Sequence, residues 1–289
     1  VCGGKCRSGI AMIVPSDWPH RVHSAIVQSA PHRWHVQRMG TGPVALLLHG
    51  AGASTHSFAG LMTLMSERYD VIAVDLPGQG FTQLGTRNRC GLAAMADDLA
   101  ALCAHMDVEP EMLVGHSAGA ALAMRLSTLL PTAPARIISI NGAFAEFEGL
   151  AGVVFPVMAK ALTFNPFIGS TFARLAGSRR QVKRLIEGTG SVISDSGLDQ
   201  YQTLVRNPNH VEATLAMMAQ WNLNELRDIS GLVTAHCLLI TGDRDKAVPP
   251  ETSDKCSEQF QNSARISMPK LGHLAHEEAP AKVAKAIEA

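Results

Sequence analysis

Met112-Leu113-Val114-Gly115-His116-Ser117-Ala118-Gly119 is the stretch whose bend decides the fold. Residues 112–114 form an apolar run suited to a strand buried on both faces, and 118–130 have the spacing of a helix. The serine between them has a glycine two residues away on each side. A sharp strand-to-helix turn holds such a serine in strained backbone, and the small flanking residues let strand and helix approach closely. The turn lifts the Ser117 hydroxyl above the sheet as a nucleophile and aims the next N–H, that of Ala118, at an incoming carbonyl. The GxSxG pattern alone is common by chance; its strand–turn–helix setting gives it weight.

Outward from this turn the same grammar repeats. Apolar runs at 44–48 (VALLL), 71–74, 137–140 and 237–240 read as buried strands, with a weaker final strand at 264–268. Residues 33–39 (RWHVQRM) alternate and end at Gly40-Thr41-Gly42-Pro43, a hairpin-like turn. Helical patterns fall at 58–65, 95–106, 118–130, 251–260 and 281–289. This alternation predicts an α/β fold with a mostly parallel, doubly wound sheet covered on both faces. From 143 to 226 only helical patterns appear. They predict a helical cap inserted between two core strands, over the strand ends where ligands bind in open α/β sheets. The expected organisation is a flexible leader over 1–20, a core over 21–142 and 227–289, and a cap over 143–226. The chain opens with Val, so Met12 is a second candidate start.

Composition narrows the class. The chain has 289 residues, of which 46% are hydrophobic and 17% charged, a mixture that excludes intrinsic disorder. Twenty-five basic residues balance twenty-five acidic ones. That balance argues against a nucleic-acid binder, which draws its affinity from Lys and Arg on phosphate. No apolar run is long enough to span a bilayer. The apolar stretch 10–14 ends at Pro15, too short for a secretory signal. The six cysteines (Cys2, Cys6, Cys90, Cys103, Cys237 and Cys256) form no CxxC and no cluster with zinc spacing, so free thiols in a reducing cytoplasm are expected. No metal site is expected.

A serine nucleophile needs a base and an acid. Gly242-Asp243-Arg244-Asp245 follows the strand at 237–240 and precedes Val248-Pro249, and Leu271-Gly272-His273 follows the last strand. The chain order Ser, Asp, His is that of the α/β-hydrolases rather than of the chymotrypsin or subtilisin lineages. Further pieces match in order: His49-Gly50-Ala51-Gly52 and Asp75-Leu76-Pro77-Gly78-Gln79-Gly80. From about residue 33 the chain resembles the α/β-hydrolase family. The resemblance implies Ser117 as nucleophile, His273 as base and Asp245 as the acid that fixes the His273 tautomer. Asp243 is the rival acid; the family places the acid three residues after the glycine, at Asp245. The backbone N–H groups of Ala51 and Ala118 would form the oxyanion hole, each donor typically contributing about 3–4 kcal/mol to the transition state. His49 and His116 are expected to tune local hydrogen bonds. His276 is expected to bond Glu277 or Glu278, and His56 is left undecided.

The expected cap opens with GLAGVVFPVMAKALTFNPFIGSTFA (149–173), whose single charge is Lys160. It reads as a lid packing on the core and lining an apolar cavity, or as a surface resting on a membrane or partner. Four cations follow in six positions, Arg179, Arg180, Lys183 and Arg184, ordinarily a solvated helix face. Here they could also meet substrate carboxylates or anionic lipid head groups.

A narrower resemblance covers the first third of the chain. SDWPHR (16–21), RWHVQR (33–38), the run from Gly42-Pro43 through HGAGASTHSF (49–58) and DLPGQGFT (75–82) are similar to the magnesium-chelatase accessory subgroup of bacteriochlorophyll synthesis. The departure from the wider family is Gln79, where His is usual. The subgroup implies a cytoplasmic role, peripheral to the photosynthetic membrane, in inserting magnesium into protoporphyrin IX. Magnesium and ATP would be used by other chelatase subunits, since this chain has no GxxxxGK[ST] loop and no intrinsic cofactor is expected. Three functions stay open: a serine hydrolase in the pigment pathway, a non-catalytic porphyrin-binding module, or a generic esterase of a small hydrophobic ester. Dehalogenase chemistry would need a carboxylate at 117, and HGAGAS lacks the GxGxxG spacing of a dinucleotide enzyme.

Overall fold

The computed structural model describes residues 13–144, 173–174, 176–251, 253, 257–258, 260 and 262–289. Their strands are β1 (Ser24–Ser29), β2 (His32–Met39), β3 (Val44–Leu48), β4 (Asp70–Val74), β5 (Met112–His116), β6 (Arg136–Ile140), β7 (His236–Gly242) and β8 (Ser263–Met268). They form one eight-stranded sheet in the order β1-β2-β4-β3-β5-β6-β7-β8. From β4 onward the pairs are parallel; β1 and β2 are antiparallel additions at one edge.

The continuous apolar runs are explained by two cores. Successive side chains of a strand point to opposite faces, so a strand covered on both sides must be apolar throughout. Leu46, Leu48, Ile72 and Val74 join the core under α2 (Leu92–His105) and α3 (Ala118–Ser127). Ala45, Leu47, Val71 and Ala73 join the opposite core under α1 (Ala59–Met65) and α9 (Pro280–Glu288). Between β6 and β7 come α4 (Arg179–Gly188), α5 (Asp195–Val205), α6 (Pro208–Gln220) and α7 (Asn224–Ile229). A single turn, α8 (Ala275–Glu278), precedes α9.

Three expectations change. Residues 40–43 do not close a hairpin, because β2 pairs with β1 and β4 while β3 lies beyond β4. The alternating strand belongs near the edge, and the two wholly apolar ones belong side by side in the middle. The leader does not extend to residue 20: Trp18 is buried against Phe81 and Leu204. The third helix ends at Ser127, before residue 130. Half of the helix expected at 251–260, and Cys2, Cys6 and Cys256, lie outside the described residues; Cys90, Cys103 and Cys237 are buried free thiols.

Candidate active site

Ser117 joins β5 to α3 with φ 52° and ψ −119°, a conformation that costs a non-glycine residue of order 1–3 kcal/mol and recurs at functional turns. The flanking glycines are steric necessities. A Cβ on Gly115 would stand 2.3 Å from the Gly119 carbonyl oxygen, and one on Gly119 would stand 2.0 Å from that of Leu48. The turn is tied to β6 by the Ser117 N–H donating to the Ile140 carbonyl at 3.0 Å. Gly50 lies against it so closely that a Cβ would come 3.0 Å from that of Ser117. The Ala118 N–H heads a helix and the Ala51 N–H lies in the adjoining loop; neither has an acceptor among the described residues.

Asp245 and His273 come together across 28 positions of sequence. The His273 Nδ1–H donates to Asp245 Oδ2 at 2.7 Å. The carboxylate is saturated: Asn141 Nδ2 also donates to Oδ2 at 2.7 Å, and the N–H groups of Ala247 and Val248 donate to Oδ1 at 2.8 Å each. Asp243 turns away and accepts the Lys270 N–H at 2.7 Å. With Nδ1–H committed to Asp245, Nε2 of His273 is the basic nitrogen. The Ser117 hydroxyl has no hydrogen-bond partner among the described residues, so the hydroxyl–imidazole contact is open. Such contacts are often long without substrate and tighten in the reacting complex.

The surrounding histidines are held neutral by burial. His49 donates from Nδ1 to the Gly50 carbonyl at 2.7 Å and accepts the Leu76 N–H on Nε2 at 2.9 Å. His116 donates from Nε2 to the His273 carbonyl at 3.0 Å, and burial keeps its pKa well below the ordinary value. The expected bond from His276 to its acidic neighbours is absent. Residues one and two apart on a helix do not face each other. Instead Glu277 accepts the Tyr201 hydroxyl at 2.7 Å and Glu278 accepts the Gly272 N–H at 2.8 Å. The His276 ring lies 4.4 Å from that of His116 and 5.0 Å from that of Phe58, its nitrogens unpaired among the described residues and its pKa pushed down to about 3 by burial. His56, also pushed to about 3 by burial, bonds Ser54 Oγ through Nδ1 and packs against Tyr201 of α5.

Three contacts escape a sequence reading. Asn141, at the end of β6, holds the acid in place from a left-handed φ of 49°. Gln79 accepts the Gly52 N–H at 2.7 Å, so the residue that departs from the family's usual His anchors the loop beside Ala51. His210 of α6 accepts the Gly80 N–H at 3.0 Å and donates to the Gly52 carbonyl at 3.2 Å. Gln79 could be noticed as a departure within a glycine-rich motif, but nothing around Asn141 or His210 in the sequence points to their partners. The basic run forms α4, capped by Ser178, with Val182 and Ile186 buried. Arg179 is no free cation: it bridges to Asp195 and Asp199 of α5. The apolar stretch proposed as a lid lies outside the described residues apart from Ala173. Among the described residues no helix is long and apolar enough to cross a membrane.

Comparison with known proteins agrees with this architecture. The model of the alpha/beta hydrolase family matches residues 45–286. The chain is 42% identical to the magnesium-chelatase 30 kDa subunit of Rhodobacter capsulatus, over 91% of this chain and 93% of that one. It is 27% identical to a 2-(acetamidomethylene)succinate hydrolase of Mesorhizobium japonicum, over 88% of this chain and 89% of that one. Among solved structures, an alpha/beta hydrolase fold protein of Burkholderia ambifaria superposes with a TM-score of 0.74 at 21% identity, over 92% of this chain and 99% of that one. The chain belongs to the α/β-hydrolase family.

Proposed function

We propose that this chain is a serine hydrolase that assists magnesium chelatase in bacteriochlorophyll synthesis, acting on an ester of a porphyrin-pathway compound. The observation that carries the catalytic part is the saturated Asp245 carboxylate, bonded to His273 Nδ1–H at 2.7 Å. The pathway part rests on the similarity to the Rhodobacter subunit. Ser117 Oγ attacks the ester carbonyl while His273 Nε2 takes its proton. Asp245 stabilises the imidazolium that results. The N–H groups of Ala51 and Ala118 receive the oxyanion. Collapse expels the alcohol, which takes the proton from His273, and leaves an acyl-serine. Water, deprotonated by the same nitrogen, then releases the acid and restores Ser117.

Residues 143–226 act as the cap over this site, closing around a hydrophobic substrate or a porphyrin. Chelatase subunits are the partners, and they handle magnesium and ATP. On this basis the protein works in the cytoplasm, with the cap in peripheral contact with the photosynthetic membrane. One observation favours a second reading, a porphyrin-binding module that keeps its triad unused: the similarity is to a chelatase subunit, and metal insertion breaks no ester.

Complementation of a pigment-deficient strain separates the two. The wild-type chain is expected to restore pigment and Ser117→Ala to fail. Rescue by Ser117→Ala would overturn the catalytic reading, and failure of the wild type would overturn the pathway.

A further inference from the structure

We propose that Thr189-Gly190-Ser191, which links α4 to α5, is a strap that sets the mutual position of the acid and base loops. Displacing α4 would therefore disarm the nucleophile. This inference rests on the triad reading above.

The strap touches both loops through its backbone. The Thr189 carbonyl accepts the N–H of Lys246 at 3.0 Å and that of His273 at 3.4 Å, one from the residue after the acid and one from the base itself. Ser191, wholly buried, accepts the Leu274 N–H on its hydroxyl at 2.8 Å. Gly190 has a φ of 86°, and a Cβ there would stand 1.9 Å from the Arg244 carbonyl oxygen. A Cβ on Gly272 would stand 2.4 Å from the Gly190 carbonyl, and one on Gly242 would stand 2.4 Å from the carbonyl of Gly272. Backbone thus rests on backbone from the strap through the base loop to the acid loop, with no side chain between to absorb movement.

On its other side the strap is rigidly tied to α4. The Thr189 hydroxyl donates to the Ile186 carbonyl at 2.7 Å, and the Gly190 N–H donates to that of Glu187 at 3.0 Å. Val182 and Ile186 of α4 pack with Leu198 and Tyr201 of α5 and with Leu274 of the base loop. Between Gly190–Val192 and Asp243–Lys246 a cavity of about 410 Å³ opens, so one flank of the strap has room to move. A shift of α4 reaches Lys246 and His273 together through a single carbonyl. Misplacement of a reacting group by about 1 Å can cost on the order of a hundredfold in rate.

The test uses the full chain, with the rate of fluorophosphonate labelling of Ser117 measured near neutral pH. Gly190→Ala is expected to slow labelling at least about tenfold, because the carboxylate and imidazole are moved out of line with the hydroxyl. Ser191→Ala should do the same to a smaller degree, and Ser191→Thr, which keeps the hydroxyl, should restore the rate. Should Gly190→Ala fail to fold, the Ser191 pair decides. A lower melting temperature with the labelling rate unchanged would make the segment a mere cap fastener and overturn the proposal. If the wild type does not label at all, the hydrolase reading falls, and amide hydrogen exchange judges the strap on its own. Faster exchange at 243–248 and 271–274 in Ser191→Ala, with β3 and β5 unchanged, upholds it; unaltered exchange at those loops overturns it.

Discussion

Asp245 bonds the His273 imidazole, His276 packs against His116 beside it, and the two buried groups are treated in opposite ways. The carboxylate, buried in the β7 loop, accepts four hydrogen bonds. The imidazole of His276, enclosed three residues after His273, accepts and donates none among the described residues. A buried charge is tolerable only when paired and hydrogen-bonded, whereas an unpaired buried imidazole escapes the cost by staying neutral. Donors therefore converge on the one group whose charge the proposed proton relay needs. The neighbouring rings add bulk without adding a charge that would oppose the His273 imidazolium.

Abolishing the charged side of this contrast has the largest effect. Asp245→Asn should slow fluorophosphonate labelling about 10³- to 10⁴-fold, because the amide favours the wrong His273 tautomer. Asp243→Asn, whose side chain meets only the Lys270 N–H among the described residues, should stay within about twofold. A larger loss at 243 than at 245 would reverse the choice of acid. Trimming one donor is gentler. Asn141→Gly accepts the left-handed φ, so its effect reports the lost bond: about 1–3 kcal/mol of stability in urea unfolding and roughly tenfold in labelling rate. Labelling at the wild-type rate would show that Oδ2 does not need its second donor.

The neutral side is tested by pH. Folded His276 has its pKa lowered to about 3, so between there and 6.5 the unfolded chain binds more protons and stability falls as pH falls. His276→Leu should retain on the order of 2 kcal/mol more of its neutral-pH stability at pH 5, read from urea midpoints. An unchanged acid limb would mean that the ring finds a partner. Glu277 has the opposite sign. Burial pushes its carboxyl up to about 8 despite the opposing bond from Tyr201, so the folded chain binds the extra proton and stability declines as pH rises from about 4.5 to 8. Glu277→Gln should flatten that decline. The gain should be under about 1 kcal/mol, since the residue is only part-buried and solvent screens it. A steeper decline in the variant would contradict the assignment.

The legible parts of the molecule share a local cause. Residues 44–48 are apolar because both faces of β3 are covered, and Gly115 and Gly119 are glycines because strand and helix touch there. Spacing from the glycine points to Asp245 over Asp243, and it is Asp245 that bonds His273 while Asp243 meets the Lys270 N–H. What stayed hidden depends on partners far away in sequence or on an absence of burial. β1 (SAIVQS) is an edge strand with Ile26 partly exposed, so nothing forces it to be apolar. His210 meets Gly80 across 130 positions, and Asn141 meets Asp245 across 104. Neither bond leaves a mark on its own neighbourhood. The choice between hairpin and crossover after β2 was also unreadable, because turn residues fix a local bend but not which strand fills the gap.

Peptide mass spectrometry after fluorophosphonate treatment of the full chain, near neutral pH, tests the proton relay most directly. A single adduct on Ser117, abolished in Ser117→Ala and in His273→Gln, is the predicted result. No adduct, or one on another serine with Ser117 unmodified, would contradict it.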